Sequence, residues 1–193
     1  GIEFIAELKV LAGKKLKKFD INTKASADTA LKEVSESKLH VDSIEKKRTK
    51  RFPSKPFITS TLQQEASRKL GFSAKRTMSI AQDLYRGVDI KGESVGLITY
   101  MRTDGTQISN EAISDFRNFI NKEHGKEYLP ENPNSYKGKK AKNAQEAHEA
   151  IRPADVTKKP SDMKKYLSTD QSKLYELIWN RALSSQMNPA EFD

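Results

Sequence analysis

The stretch "STLQQEASRKLGFSAKRTMSIAQDLYRG", residues 60–87, sets the fold class. Ser60 and Gln63 stand three apart, the spacing of a capping box, and Gly71 offers a left-handed close. Residues 60–71 therefore read as one helix. Ser73 opens a second, which Gly87 closes. Ala74, Met78, Ala81 and Tyr85 recur at helical spacing as its apolar stripe, with Thr77 and Leu84 flanking it. Two helices joined by "GFS" make a helix-turn-helix-like pair. Short strands on either side place the chain in the α+β class.

C-terminal to the pair, "GLITYMRTDG", residues 96–105, reads as a strand. Alternation then puts Ile98, Tyr100, Arg102 and Asp104 on one face and Leu97, Thr99, Met101 and Thr103 on the other. Ser109 caps a helix running to about Glu123, with Ala112, Ile113, Phe116, Phe119 and Ile120 inward. Residues 125–145, with Gly125, Pro130, Pro133, Gly138 and several lysines, predict a mobile loop. "QEAHEAIRP", residues 145–153, predicts a helical turn or loop ended by Pro153. Ser168 and Gln171 box the start of a last helix, whose stripe is Leu174, Tyr175, Ile178, Trp179, Ala182 and Leu183.

N-terminal to the pair, "EFIAELKVL" and "KKLKKFDI" predict two strands around Ala12-Gly13. Ser26 predicts a helix cap, with Asp28 in the first turn. Leu39, Val41 and Ser43 alternate as a further strand. This ββαβ piece is thin in apolar residues, too thin for a complete domain. Pro53 and Pro56 mark a boundary. The expected organisation is residues 1–55 as part of an incomplete β-rich piece, 56–187 as a mainly helical domain, and 188–193 as a return into the first.

The chain has 193 residues and a formal net charge of +9. Residues 1–55 carry a net +6 and residues 56–193 a net +3. That balance fits a polyanionic partner, and equally a solvated lysine-rich surface. There is no cysteine, which excludes disulfides and thiolate metal sites. No apolar run approaches the roughly 18 residues of a membrane span. No secretory signal is visible, and a first residue other than Met reads as a segment of something longer.

Three constellations carry chemistry. A strand tyrosine is ordinarily packing, but Tyr100 has Arg102 two residues on and Asp104 beyond it. A phenol titrates near 10, so as a nucleophile it needs positive charge nearby. Arg102 supplies one, in a fork that grips phosphate, and Asp104 could orient it. In "AHEAIRP", His148 and Arg152 share a face if the segment is helical. With Glu149 they make either a phosphate clamp and proton relay or a surface charge cluster. The HExxH zinc pattern fails because Arg152 stands in place of its second histidine. Around the helix pair, Gln63, Arg68, Lys69, Lys75, Arg76 and Thr77 could meet a phosphate backbone, and the helix starts at Ser60 and Ser73 offer N–H groups to anions.

Together these stretches resemble the type IA DNA topoisomerases in their bacterial form. "PFITSTLQQEASRKLGFSAKRTMSIAQDLYRG" is similar to the family's helix-pair segment, "GLITYMRTDG" to its active-site tyrosine motif and "QEAHEAIRP" to its downstream histidine motif. The order is the family's, from about residue 56 onward. Gly105 stands where many members carry serine.

The resemblance implies relaxation of negatively supercoiled DNA by cutting one strand, passing another and resealing, without ATP. Tyr100 would form a 5′-phosphotyrosine link, Arg102 would stabilise the attacked phosphate and His148 would assist. Asp104, Glu149, Arg152, Gln63, Arg68, Lys75 and Arg76 would support the site or bind DNA, preferentially single-stranded. It further implies that Mg2+ belongs to an acidic Toprim domain missing here, so that this chain is a central fragment, inactive alone, working with the other domains of its polypeptide. Residues 1–55 and 188–193 would then be parts of the hinge domain. No membrane is expected, and the location implied is the bacterial cytoplasm, at the nucleoid. The competing reading is a non-catalytic DNA-binding module built on the helix pair, which has no need for Tyr100 beside Arg102.

Overall fold

Side-chain caps set where the helices of this α+β chain begin. The computed structural model describes residues 3–38, 40–136 and 148–192. Its packing divides into two units, residues 1–46 and 47–193.

In the first unit, β1 (Val10–Leu11) and β2 (Lys14–Lys15) pair antiparallel across Ala12-Gly13. The turn is where the sequence predicts it, but the strands are two residues each, not the longer runs expected. α1 (Lys24–Glu36) starts before Ser26. Thr23 is the cap: its Oγ1 accepts from the Ser26 N–H, and Ser26 Oγ accepts from the Thr23 N–H. Ser26 is thus the third residue of the helix rather than its cap. Ala30 is the one α1 residue that is buried. The alternation at Val41 and Ser43 builds no strand. Val41 and Ile44 are exposed, so no buried face exists to hold a register. Leu39 lies outside the described residues.

The second unit opens with β3 (Thr49–Arg51). α2 (Thr59–Leu70) begins two residues before the predicted box, because Thr61 Oγ1, not Ser60, accepts from the Ile58 N–H. Gly71 closes it in the left-handed region. α3 (Ala74–Arg86) is capped by Ser73, whose Oγ accepts from the Arg76 N–H. A hairpin that the sequence reading did not foresee follows: β4 (Val88–Ile90) against β5 (Glu93–Val95), with Lys91 and Gly92 both at positive φ in the turn.

α4 (Asn110–Glu123) starts at the Ser109 cap and buries Ala112, Phe116, Phe119 and Ile120. A short α5 (Pro160–Met163) precedes α6 (Thr169–Ser184), whose Ser168–Gln171 capping box and buried stripe are the predicted ones. β6 (Ala190–Phe192) returns to pair with β3, joining the two ends of this unit and placing residues 49–51 with it, ahead of Pro53 and Pro56.

The core lies between α2, α3, α4 and α6. Phe57, Leu62, Leu84, Phe116, Ile120, Leu174 and Ile178 are almost wholly removed from solvent. At about 25 cal/mol per Å² of apolar area, such burial is the main force holding the unit. α6 also clamps the segment that precedes α5. Tyr175 Oη donates to the Lys158 carbonyl at 2.7 Å and Trp179 Nε1 to the Val156 carbonyl at 3.0 Å. Burial first, and then the Asp155 carboxylate, raise the Tyr175 phenol far above its usual value.

The loop expected to be mobile is fastened over residues 125–136. Tyr136 Oη donates to the Ser185 carbonyl, and Asn134 Nδ2 to the Ser185 and Met187 carbonyls, all within 3.0 Å. Arg117 holds the Pro130 carbonyl at 3.0 Å. Residues 137–145 of that expectation lie outside the described residues. Among the described residues no helix is long and apolar enough to cross a membrane.

Candidate active site

"GLITYMRTDG" is not a strand. Only Ile98 makes a ladder-type bridge, to Pro153. The segment bends at Met101, and its backbone is met partly by the backbone of Leu84, Thr59, Arg152 and Ala154 and partly by side-chain hydroxyls. Thr59 Oγ1, at the start of α2, donates to the Met101 carbonyl at 2.8 Å and accepts from the Thr103 N–H at 2.9 Å. Thr99 Oγ1 donates to the Ala150 carbonyl at 2.7 Å and accepts from the Arg152 N–H at 3.0 Å. Thr103 Oγ1 donates to the His148 carbonyl at 2.9 Å and accepts from the Gly105 N–H at 3.0 Å. Each hydroxyl uses both its donor and its acceptor capacity. Together they do what a neighbouring strand would do, and satisfy buried backbone groups.

The alternation predicted for a strand survives where it matters. Met101 and Thr103 are buried, while Arg102 and Asp104 are exposed and Tyr100 is half-buried. The departure is Ile98, which is buried along with Leu97 rather than facing out with Tyr100. The phenol, guanidinium and carboxylate thus avoid the cost of burial.

"AHEAIRP" is not a helical turn over its described part. Residues 148–153 are extended, with Ile151 bridging Phe57 and Pro153 bridging Ile98. Their hydrogen bonds go to Phe57, Thr99 and Gln107, which pull the segment straight. His148 and Arg152 therefore do not share a helical face. Gln145, Glu146 and Ala147 lie outside the described residues. Arg152 is committed elsewhere: its Nε holds Glu149 Oε2 at 2.7 Å and its Nη1 the Pro153 carbonyl at 3.0 Å.

His148 nevertheless meets the tyrosine. Its ring centroid lies 5.3 Å from that of Tyr100, edge-on at 61°. Tyr85 stands at the same 5.3 Å, at 66°. Tyr100 thus packs against two rings. Arg102 follows two residues on, across the bend at Met101, and is exposed. Arg102 and Asp104 form no ion pair with each other, so Asp104 does not orient the guanidinium as the spacing suggested.

Gly105 has a steric reason here. A Cβ at this position would stand 2.2 Å from the His148 carbonyl oxygen. A serine, as many relatives of the resembled family carry, needs that carbonyl to stand further off.

The helix-pair residues are only partly available. Arg68 and Lys69 pair with Glu65 at 3.3 and 2.8 Å, and Arg181 joins them at 3.3 Å. Hydrogen bonding from Lys69, against the opposing effect of burial, holds the Glu65 carboxyl below its ordinary value. Arg76 Nε reaches Asp170 at 3.0 Å, and Thr77 is buried. Gln63 is half-buried and Lys75 exposed. The start of α2 is not open to an anion at its first N–H, because Thr59 N–H donates to the Thr103 carbonyl.

Two residues escaped the sequence reading. Tyr85 reads as core, but the stripe that α3 buries is Thr77, Ile80, Ala81 and Leu84, which leaves Ala74 and Tyr85 exposed. Taking the stripe through Ile80, at i, i+3, i+4 and i+7, releases Tyr85. Thr59 left no signal, since its partners lie more than 40 positions away. No group of three His, Asp or Glu among the described residues could hold a metal ion.

The sequence signature of one family, described as DNA topoisomerase, matches residues 2–193. The DNA topoisomerase 1 of Rickettsia bellii is 54% identical over 190 residues, covering 98% of this chain and 24% of that protein. That of Xylella fastidiosa strain 9a5c is 49% identical over 191 residues, covering 97% and 23%. The solved full-length topoisomerase I from Thermotoga maritima overlays with a TM-score of 0.70 at 46% identity, over 86% of this chain and 26% of that one. The chain thus spans about a quarter of the length of these relatives. With the family's signature running from residue 2 to residue 193, through the tyrosine, arginine and histidine just described, the chain belongs to the DNA topoisomerase family.

Proposed function

We propose that this chain is the tyrosine-bearing part of a DNA topoisomerase that relaxes negatively supercoiled DNA. The Tyr100 oxygen attacks a backbone phosphorus of one strand. The bond from phosphorus to the 3′ oxygen breaks, that oxygen takes up a proton as the phenol gives one up, and the 5′ side stays on the tyrosine. The reverse step reseals the strand after another has passed. One ester replaces another, so no ATP is spent. Arg102 stabilises the attacked phosphate and His148 assists at the same phosphate, a division of labour suited to phosphoryl transfer, where positioning and charge dominate. Arg152 and Glu149 support the segment that carries His148.

The observation that carries this reading is the seating of Tyr100 against His148, with the exposed Arg102 two residues on. A non-catalytic module gripping DNA through the helix pair gains nothing from that seating, and two of its cations, Arg68 and Arg76, are already engaged by Glu65 and Asp170. The substrate strand is proposed to be single-stranded DNA at the bacterial nucleoid. Residues 1–55 and 188–193 are read as parts of one hinge domain; the pairing of β3 with β6 speaks for residues 49–51 and 190–192 alone. No cluster of three His, Asp or Glu among the described residues could hold magnesium by itself. Its ligands are proposed to lie in the remaining domains of the polypeptide.

The test is Tyr100→Phe in a full-length polypeptide carrying this chain. The expected result is no covalent protein–DNA adduct after denaturation, with affinity for a single-stranded oligonucleotide within about two-fold of the parent, since only the phenol oxygen is removed. An adduct in the Phe variant assigns the chemistry to another residue.

A further inference from the structure

The ring of Tyr100 touches two others, and only one of them has a part in the reaction proposed above. Tyr85 is the other. It sits in the last turn of α3, 41% exposed, with its centroid 5.3 Å from that of Tyr100. Exposure of that degree is unusual for a tyrosine whose task is to fill a core.

Its position is fixed by the backbone on both sides. The preceding residue, Leu84, is fully buried, and its carbonyl accepts the Leu97 N–H at 2.8 Å. The Tyr85 carbonyl lies where a Cβ on Gly96 would approach to 2.8 Å. The end of α3 and the start of the tyrosine motif are therefore packed with no room for a side chain between them. Tyr85 is carried to Tyr100 by these attachments and not by a flexible loop.

A tyrosine ring turns broadly about χ2, with χ1 choosing among three wells. A half-buried ring with open solvent on one side would sample several orientations. Edge-on neighbours at this separation are a favoured arrangement for aromatic pairs, and two of them leave the Tyr100 ring little freedom. The phenol oxygen is then aimed before DNA arrives. Displacement of a reacting group by about 1 Å can cost on the order of a hundred-fold in rate.

We propose that Tyr85 is a positioning residue, whose ring, packed edge-on against that of Tyr100, holds the nucleophile in its attacking orientation. The inference rests on the reading of Tyr100 as the nucleophile. The Tyr85 hydroxyl takes no part: the ring alone acts.

The experiment uses a full-length polypeptide carrying this chain and an end-labelled single-stranded oligonucleotide. Single-turnover adduct formation and oligonucleotide Kd are measured for Tyr85→Ala, Tyr85→Phe and Tyr100→Phe. Tyr85→Ala is expected to slow adduct formation by about ten- to a hundred-fold with Kd within about two-fold. Tyr85→Phe, which keeps the ring, is expected within about three-fold of the parental rate. Parental cleavage by Tyr85→Ala overturns the proposal. So does a Kd that rises in step with the loss of rate, which would make Tyr85 a platform for a base or a prop of the fold. Tyr85→Phe as slow as Tyr85→Ala overturns it too, by giving the hydroxyl the role. Tyr100→Phe separates the two levels: with no adduct there and parental cleavage in Tyr85→Ala, only the positioning role fails, whereas an adduct in Tyr100→Phe removes the nucleophile itself.

Discussion

α1 and α6 begin in the same way and end differently. Each is opened by a capping box, Thr23 with Ser26 and Ser168 with Gln171. α6 then buries six residues, from Leu174 to Leu183, while α1 buries Ala30 alone and leaves Leu31 and Val34 exposed. The contrast extends to their units. Phe4 and Phe19 of the first unit are 83% and 74% exposed, whereas Phe57 and Phe116 of the second are closed off from solvent. Capping is decided by four consecutive residues and fixes where a helix starts. Burial is decided by what the rest of the chain brings against it, and most helical stability comes from there.

That contrast can be tested by substitution. Phe116→Ala removes a fully buried ring from the second unit and is expected to cost about 3–5 kcal/mol in chemical denaturation. A cost near zero would mean that the core described here is not what holds the unit. Thr103→Val keeps the shape but strips the hydroxyl from between the His148 carbonyl and the Gly105 N–H. Two partly buried hydrogen bonds are lost, so a loss of about 1–2 kcal/mol is expected.

A smaller effect is expected at Glu65, where Lys69, Arg68 and Arg181 converge. Because the folded carboxyl titrates below its ordinary 4.5, its contribution is complete above that value and is lost as pH falls through the depressed one. Glu65→Gln should therefore flatten the acid limb of stability as pH falls below the ordinary carboxyl value of 4.5. An unchanged limb would assign acid sensitivity to other carboxylates. The smallest effect is expected from Leu31→Ala on α1, under about 0.5 kcal/mol. A loss comparable to that of Phe116→Ala would show that the first unit has a core of its own, and the contrast would fall.

The helices were legible because their signals are local. Ser73, Ser109, Ser168 and Gly71 stand at the ends they predict, and the α6 stripe is the predicted set of six. The α+β class follows from them. The geometry of the candidate site was only half legible. Tyr100 and His148 do meet, yet the motif that holds Tyr100 is no strand and the segment holding His148 no helix. Thr59, Thr99 and Thr103 fasten both through partners 42 to 53 positions distant, apart from the short bond to Gly105. No window of neighbouring residues contains such information. Tyr85 was misread for a different reason: two apolar stripes can be drawn along α3, and the choice between them depends on which side α6 covers.

Trp179, the single tryptophan of the 193 residues, lies under the segment after Pro153, with its N–H on the Val156 carbonyl and its ring edge-on to Phe119 at 5.5 Å. All six tyrosines also fall at or beyond Tyr85. Residues 1–46 therefore contribute no indole or phenol chromophore. Indole and phenol emission, and the dichroism of their bands, belong to the second unit, while the far-ultraviolet signal counts α1 as well. One sample heated once, and followed in both bands, reports the second unit alone and the two units together, without a label or a mutation.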